Sequence, residues 1–132
     1  MPGLICLTRD HTLANQKLDA GIYTEAQAKK SADQHRLTLY VGVDKNGLGL
    51  NADSRPPVAL QPGRKFLLCT DGLVDMCSEQ EIQDILSQDY FNEAAVLVQT
   101  AVNYGGIDNV TCIVLEVIPI EEPAELESDP ML

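Results

Sequence analysis

The 132-residue sequence contains no tryptophan, and aromatic residues make up only 5% of it, so aliphatic side chains must supply most of any core. No apolar run approaches the ~18 residues needed to cross a membrane. The apolar first residues lack the basic leader and cleavage site of a signal peptide. The four cysteines, Cys6, Cys69, Cys77 and Cys112, show no C-x-x-C pairing, which argues against a structural zinc site. Cys69 and Cys112 fall in predicted core strands and read as small buried apolar residues of a reducing compartment. Together these absences predict a cytoplasmic protein with no membrane association.

Basic residues are missing from the whole second half. Up to Lys65, nine bases face six acids, a net of +3; beyond it stand fourteen acids and no base, a net of −14. A surface of that sign repels nucleic-acid phosphates and argues against nucleic acid as a partner. It suits a cation, although a solvated surface and an acidic tail account for much of the excess. Residues 119–132 hold three prolines and five acids without a hydrophobic period, and predict a disordered tail. Residues 1–118 are left to form one domain with a usable core.

What is present reads as an alternation of helices and strands. Residues 4–8 predict a short strand. Asp10 is placed to cap a helix from His11 to Ala20, with Gly21 as its stop. Histidine as a residue type invites a catalytic reading, but His11, at a predicted helix start, reads as structural. Thr24 and Gln27 have capping-box spacing and predict a helix from Glu25 to about Ala32. Leu37 to Val41 reads as a strand, and Asp44 to Pro57 as a loop with a brief strand at Leu48 and Leu50. Gln61-Pro62-Gly63 predicts a tight turn. Phe66 to Cys69 is an apolar run that predicts a strand buried on both faces. Asp71-Gly72 then breaks the run, and Ser78 with Glu81 forms a second capping box opening a helix near Glu79, with Ile82, Ile85 and Leu86 as its apolar stripe. After a linker at Gln88 to Phe91, Asn92 caps a helix whose Ala94, Leu97, Val98 and Ala101 share one face. Gly105 and Gly106 end it, and Val110 to Ile118 predicts a central strand closed by Pro119.

Two acidic motifs stand at the ends of the predicted core strands. Asp71 follows one strand in CTDGLVD (69–75), and Asp108 precedes the other in GGIDNVT (105–111). Alone, an Asp-Gly pair reads as an ordinary turn. As a pair, the two motifs resemble the last two signature motifs of the type 2C, metal-dependent protein serine/threonine phosphatases (the PPM family). LTRDHTLANQ (7–16), Gly21-Ile22, Glu25-Ala26 and LTLYVG (37–42) resemble the middle region of that family in the same order, so the resemblance covers roughly residues 7 to 118. The family's N-terminal motifs have no counterpart here: a phosphate-binding Arg, an Asn-Glu-Asp segment, Asp-Gly-x-Gly-Gly and a Gly-Asp-Ser-Arg strand. The Asp53-Ser54-Arg55 tripeptide comes too late, after the wrong element, to be that strand. The chain resembles the C-terminal half of the catalytic domain.

The resemblance implies an α+β fold, half of an α-β-β-α layered β-sandwich with strands flanked by helices. It implies phosphoester hydrolysis by a metal-activated water, on phosphoserine or phosphothreonine protein substrates. Hard Mn²⁺ or Mg²⁺ ions call for oxygen ligands, and by motif these are Asp71 and Asp108, with Gly72, Asp75 and Asn109 in support. Adjacent strands would bring the two carboxylates to the same sheet edge, with oxygens about 4–5 Å apart or closer. No catalytic residue beyond the metal ligands is assigned. Gly21 to about Arg36 matches the family's flap, where Lys29, Lys30 and Arg36 could meet substrate charge or form an ordinary solvated face. Two carboxylates make a thin site, so the isolated chain is expected to be inactive without the missing motifs. It could pair with a separate N-terminal half-domain, form a homodimer, or act as a catalytically inactive module in binding or regulation.

Overall fold

The computed structural model describes residues 3–43, 54–88 and 90–120, which fall into two compact units: Ile5–Pro57, and Val58 onward together with the residues before Ile5. The expected tail at 119–132, beyond Ile120, and the brief strand at Leu48 and Leu50 lie outside the described residues.

The Ile5–Pro57 unit is helical. Its first helix, α1, spans Leu13–Asp19 and is capped by Thr12, whose side chain accepts the Asn15 N–H. This differs from the expected start at His11 under an Asp10 cap. His11 and Thr12 are held extended against a neighbouring segment, where Leu13 N–H meets Arg36 O at 2.8 Å and Thr38 N–H meets His11 O at 2.8 Å. An extended backbone can cap a helix but not belong to it. Helix α2, Glu25–Lys30, carries the full Thr24–Gln27 capping box, as the spacing predicts. It stops before Ala32 because Ser31 is extended and caps a 3₁₀ turn, Ala32–His35.

Asp33, only 8% exposed, joins these pieces. Its carboxylate takes Lys17 Nζ at 2.5 Å, the Tyr23 hydroxyl at 3.0 Å and Arg36 Nη1 at 3.4 Å. The Lys17 hydrogen bond holds the Asp33 pKa below its ordinary value and raises that of Lys17. The strands expected at residues 4–8 and Leu37 to Val41 do not form; Leu37 makes a single bridge, to Thr12. A strand needs a neighbour for its N–H and C=O groups, and the described residues supply none beyond that bridge. Ile5, Leu37 and Val41 accordingly remain exposed.

The second unit is built on two antiparallel strands, β1 (Lys65–Cys69) and β2 (Cys112–Glu116), with Phe66 opposite Leu115, Leu68 opposite Ile113 and Cys69 opposite Cys112. The Gln61-Pro62-Gly63 turn feeds β1, closed by Arg64 N–H to Gln61 O at 3.0 Å. Three helices follow: α3 (Asp71–Val74), α4 (Glu79–Leu86) and α5 (Glu93–Asn103). Ser78 and Glu81 form the predicted capping box of α4, and Asn92 caps α5 through the Ala95 N–H. The core consists of Leu73, Cys77, Ile82, Leu97 and Ala101, with Leu67, Cys112 and Val114 packed on it from the sheet. Lys65 pins the helices to the strands, reaching Leu86 O at 3.0 Å and Glu93 Oε1 at 2.5 Å.

Among the described residues the strands are covered on one face only. Residues alternate between faces along a strand, so Leu67, Cys112 and Val114 meet the helices while Phe66, Leu68, Ile113 and Leu115 share the other side. Leu68, Ile113 and Leu115 are more than half exposed. The expectations of a doubly buried first strand and a central last strand are therefore corrected: among the described residues the sheet has two strands and one helical layer. The cysteines are corrected likewise. Cys69 is exposed at the sheet end and Cys112 half-buried, while Cys77, on the segment after α3, is the buried one. Burial pushes the Cys77 and Cys112 thiols up. The fold is α+β, one strand layer under one helical layer in this unit.

Candidate metal centre

Antiparallel pairing decides where the two acidic motifs meet. The C-terminal end of β1 lies beside the N-terminal start of β2, so the residues following Cys69 and those preceding Cys112 share one end of the sheet. Pairing continues past both strands: Thr70 N–H donates to Thr111 O at 3.0 Å. The Thr70 hydroxyl accepts the Thr111 N–H at 3.1 Å and donates to Asn109 O at 3.3 Å. Thr70 thus stitches the Asp71 turn to the Asp108 turn. Its role escaped the sequence reading, where the only signal was a hydroxyl residue ending an apolar run.

Gly72 completes the junction. It is buried, and a Cβ built on it would lie 2.3 Å from Asn109 O and 3.1 Å from Asn109 C. Only glycine lets the two backbones approach this closely. Asn109 therefore supports the junction through its carbonyl as well as its place beside Asp108. Asp75 ends α3 with its N–H on Asp71 O at 2.8 Å. Helix α3 was not anticipated; Asp71 opens it instead of lying in a plain turn.

The two motif aspartates make matching local bonds. Asp71 Oδ1 accepts the Gly72 N–H at 3.0 Å, and Asp108 Oδ1 accepts the Asn109 N–H at 2.7 Å. Each carboxylate is exposed at the sheet end and accepts no further hydrogen bond from the described residues. This donor set, two hard oxygen groups without thiolate or imidazole, fits a hard divalent ion. Among the described residues no group of three or more His, Cys, Asp or Glu side chains could enclose one. The structure brings Asp71 and Gly72 against the Asp108–Asn109 turn, with Asp75 at the C-terminal end of α3. Lys29, Lys30 and Arg36 belong to the Ile5–Pro57 unit, where Lys29 and Lys30 are exposed in the last turn of α2 and Arg36 contacts Asp33.

A second bonded group flanks the junction. Tyr104, which ends α5, donates its hydroxyl to Glu81 Oε1, while Glu81 Oε2 accepts the Ser78 N–H at 2.8 Å and the Ser78 hydroxyl at 2.7 Å. The Tyr104 hydrogen bond, then those of Ser78, lower the Glu81 pKa; the same bond to Glu81 raises that of Tyr104. The capping box was legible in sequence, but no signal links Glu81 to a tyrosine so far along the chain.

No protein-family model matches the sequence. Similar proteins are found nonetheless. The protein phosphatase PhpP of Streptococcus pneumoniae is 35% identical over 121 residues, spanning 90% of this chain and 47% of that protein. The serine/threonine phosphatase stp of Listeria welshimeri is 32% identical over 112 residues, spanning 83% of this chain and 43% of that protein. Among solved structures, the Mycobacterium tuberculosis serine/threonine phosphatase PstP/Ppp superposes with a TM-score of 0.67 at 26% identity, covering 86% of this chain and 46% of that one. The chain thus spans about half the length of the curated relatives it matches. No helix among the described residues is long and apolar enough to cross a membrane. Motifs, fold and relatives converge, and the chain belongs to the type 2C, or PPM, family of protein serine/threonine phosphatases, corresponding to the C-terminal half of its domain.

Proposed function

We propose that this chain contributes Asp71 and Asp108 as ligands for Mn²⁺ or Mg²⁺ in the hydrolysis of phosphoserine and phosphothreonine in protein substrates. The observation that carries the reading is the junction of the two motif turns, stitched by Thr70 and closed by Gly72 on Asn109. A divalent pair, when bound, supplies an activated water and neutralises phosphoryl charge. The chain's own groups hold and orient. Asp71 and Asp108 offer hard oxygens, their local N–H bonds fix the carboxylate rotamers, and Gly72 sets the distance between the turns. Two carboxylates leave most of an ion's coordination to water or to ligands from elsewhere. The remaining half of the domain, as a separate N-terminal half-domain or a second chain, would supply those ligands and the phosphate grip. By resemblance Lys29, Lys30 and Arg36 are candidates to meet substrate charge, the alternative being an ordinary solvated helix face. Free cysteines suit the reducing cytoplasm.

Ion binding to the folded form alone raises apparent stability with the logarithm of ion concentration. Millimolar Mn²⁺ or Mg²⁺ is therefore expected to raise the melting temperature, and Asp71→Asn or Asp108→Asn to remove most of that rise. Deleting residues 119–132 separates this from ions gathered by the acidic tail. A shift that survives both aspartate substitutions but vanishes with the tail would overturn the metal assignment.

A further inference from the structure

We propose that Tyr104 and Glu81 form a clamp that positions the Asp108 turn against the Asp71 turn. Its functional meaning rests on the metal reading above; its structural content does not. The Asp108 motif begins with Gly105 at φ 128 and Gly106 at φ 52, a diglycine hinge that by itself admits many conformations. Its C-terminal side is anchored, because Thr111 and Asn109 bond to Thr70. On its N-terminal side the residue before the hinge is Tyr104. The hinge itself adds two backbone bonds to the end of α5, Gly105 N–H to Val102 O at 3.0 Å and Gly106 N–H to Ala101 O at 3.2 Å, and the approach of Gly105 to Met76. The Tyr104 side chain supplies the tie from this end of the hinge to α4.

The Tyr104 hydroxyl reaches Glu81, and Glu81 holds Ser78, which directly follows the Met76–Cys77 segment leaving α3. The contacts close a ring: Asp71 through α3 to Ser78, Glu81, Tyr104, the diglycine, Asp108 and Asn109, then back to Gly72. A hydroxyl donating to a carboxylate is stronger than a bond between neutral groups. The opposite pKa shifts of the two partners, each led by this bond, both favour the bonded pair of neutral phenol and carboxylate. Tyr104 and Glu81 are positioning residues, since neither adjoins the ligand aspartates in sequence and each acts through the hinge.

The test uses the full 132-residue chain, with Mn²⁺ alone as probe and NMR broadening of the Gly72 and Asn109 amides as the readout of its position. Tyr104→Phe removes one oxygen and keeps the ring. It is expected to weaken Mn²⁺ binding about three- to tenfold, the scale of one lost hydrogen bond, and to speed hydrogen exchange at Gly106 and Thr111 while the β1–β2 amides keep their protection. Glu81→Gln retains a hydroxyl acceptor and the capping-box side chain but loses the charge, and is expected to fall between the parent and Tyr104→Phe. Glu81→Ala, which also loses the Ser78 bonds, should weaken binding at least as much as Tyr104→Phe, and the double variant should add little to Glu81→Ala. Equal Mn²⁺ affinity and equal exchange in Tyr104→Phe and parent would overturn the clamp. If the parent itself shows no broadening at Gly72 and Asn109, the metal reading fails. The clamp then stands or falls on the exchange rates at Gly106 and Thr111 alone.

Discussion

At the scale of single residues, the most restrictive position is Gly72. A methyl group there has backbone, not a flexible side chain, in its way, with Asn109 O only 2.3 Å from the added carbon. The Asp108–Asn109 segment must retreat, at a cost of about 1–3 kcal/mol for forced overpacking. Gly72→Ala is therefore expected to lower stability in chemical denaturation by that amount. It should also abolish the Mn²⁺-dependent rise in melting temperature. An alanine variant as stable as the parent, with the ion response intact, would mean that the two turns are not closely apposed. Thr70 shows how much one hydroxyl can do, serving at once as acceptor for Thr111 and donor to Asn109.

At the scale of elements, the sheet is asymmetric, and its two faces should answer differently to the same truncation. Leu97 on α5 is fully buried among Leu73, Ile82 and Ala101. Leu97→Ala is expected to cost about 2–5 kcal/mol, the range for a buried leucine whose cavity collapses only in part. Ile113 lies on the uncovered face of β2, more than half exposed, and Ile113→Ala should cost less than about 1 kcal/mol, mostly lost strand propensity. Urea unfolding of the two variants measures the contrast directly. Equal losses would show that something covers the Ile113 face in solution. The helices were the more legible elements, because capping boxes at Thr24 and Ser78 are local chemistry that tertiary packing did not disturb. The strand expectations fared worse, since pairing depends on neighbours distant in sequence.

At the scale of the whole molecule, each compact unit holds a bonded acid–base pair with opposed pKa shifts, and both pairs weaken in the same directions. Asp33 in one unit and Glu81 in the other have pKa values below their ordinary ones, of 3.8 and 4.5. A carboxylate depressed by folding contributes stability that is full above its unfolded value and is lost as pH falls through the folded one. Lys17 and Tyr104 are raised above their ordinary 10.5 and 10.0. Their contributions are full below those values and lost as pH rises through the folded ones. Stability should therefore be level, as far as these four groups decide it, from about pH 5 to about pH 10, and fall on either side. Asp33→Asn is expected to blunt the acid limb in NMR signals from Ile5–Pro57 only, and Glu81→Gln in signals from the β1–β2 unit only. An acid limb unchanged by both substitutions would assign it to other carboxylates.

Local chemistry alone determined the capping boxes, the apolar stripes of α4 and α5, the tight turn before β1, and the pair of acidic motifs that identify the family. Each depends on residues within a turn or two of one another, so spacing is enough to read it. Tertiary structure decided what spacing could not. Antiparallel pairing of β1 with β2 put the Asp71 and Asp108 motifs at one sheet end, and Thr70 and Gly72 drew their backbones together. Long-range contacts also moved the start of α1 from His11 to Leu13, because Thr12 was already held against Leu37. The same dependence explains why apolar runs at residues 4–8 and 37–41 are not strands and why Ile113 and Leu115 face outward. A strand is completed by the segment that pairs with it and by the layer that covers it, and neither is written in its own residues.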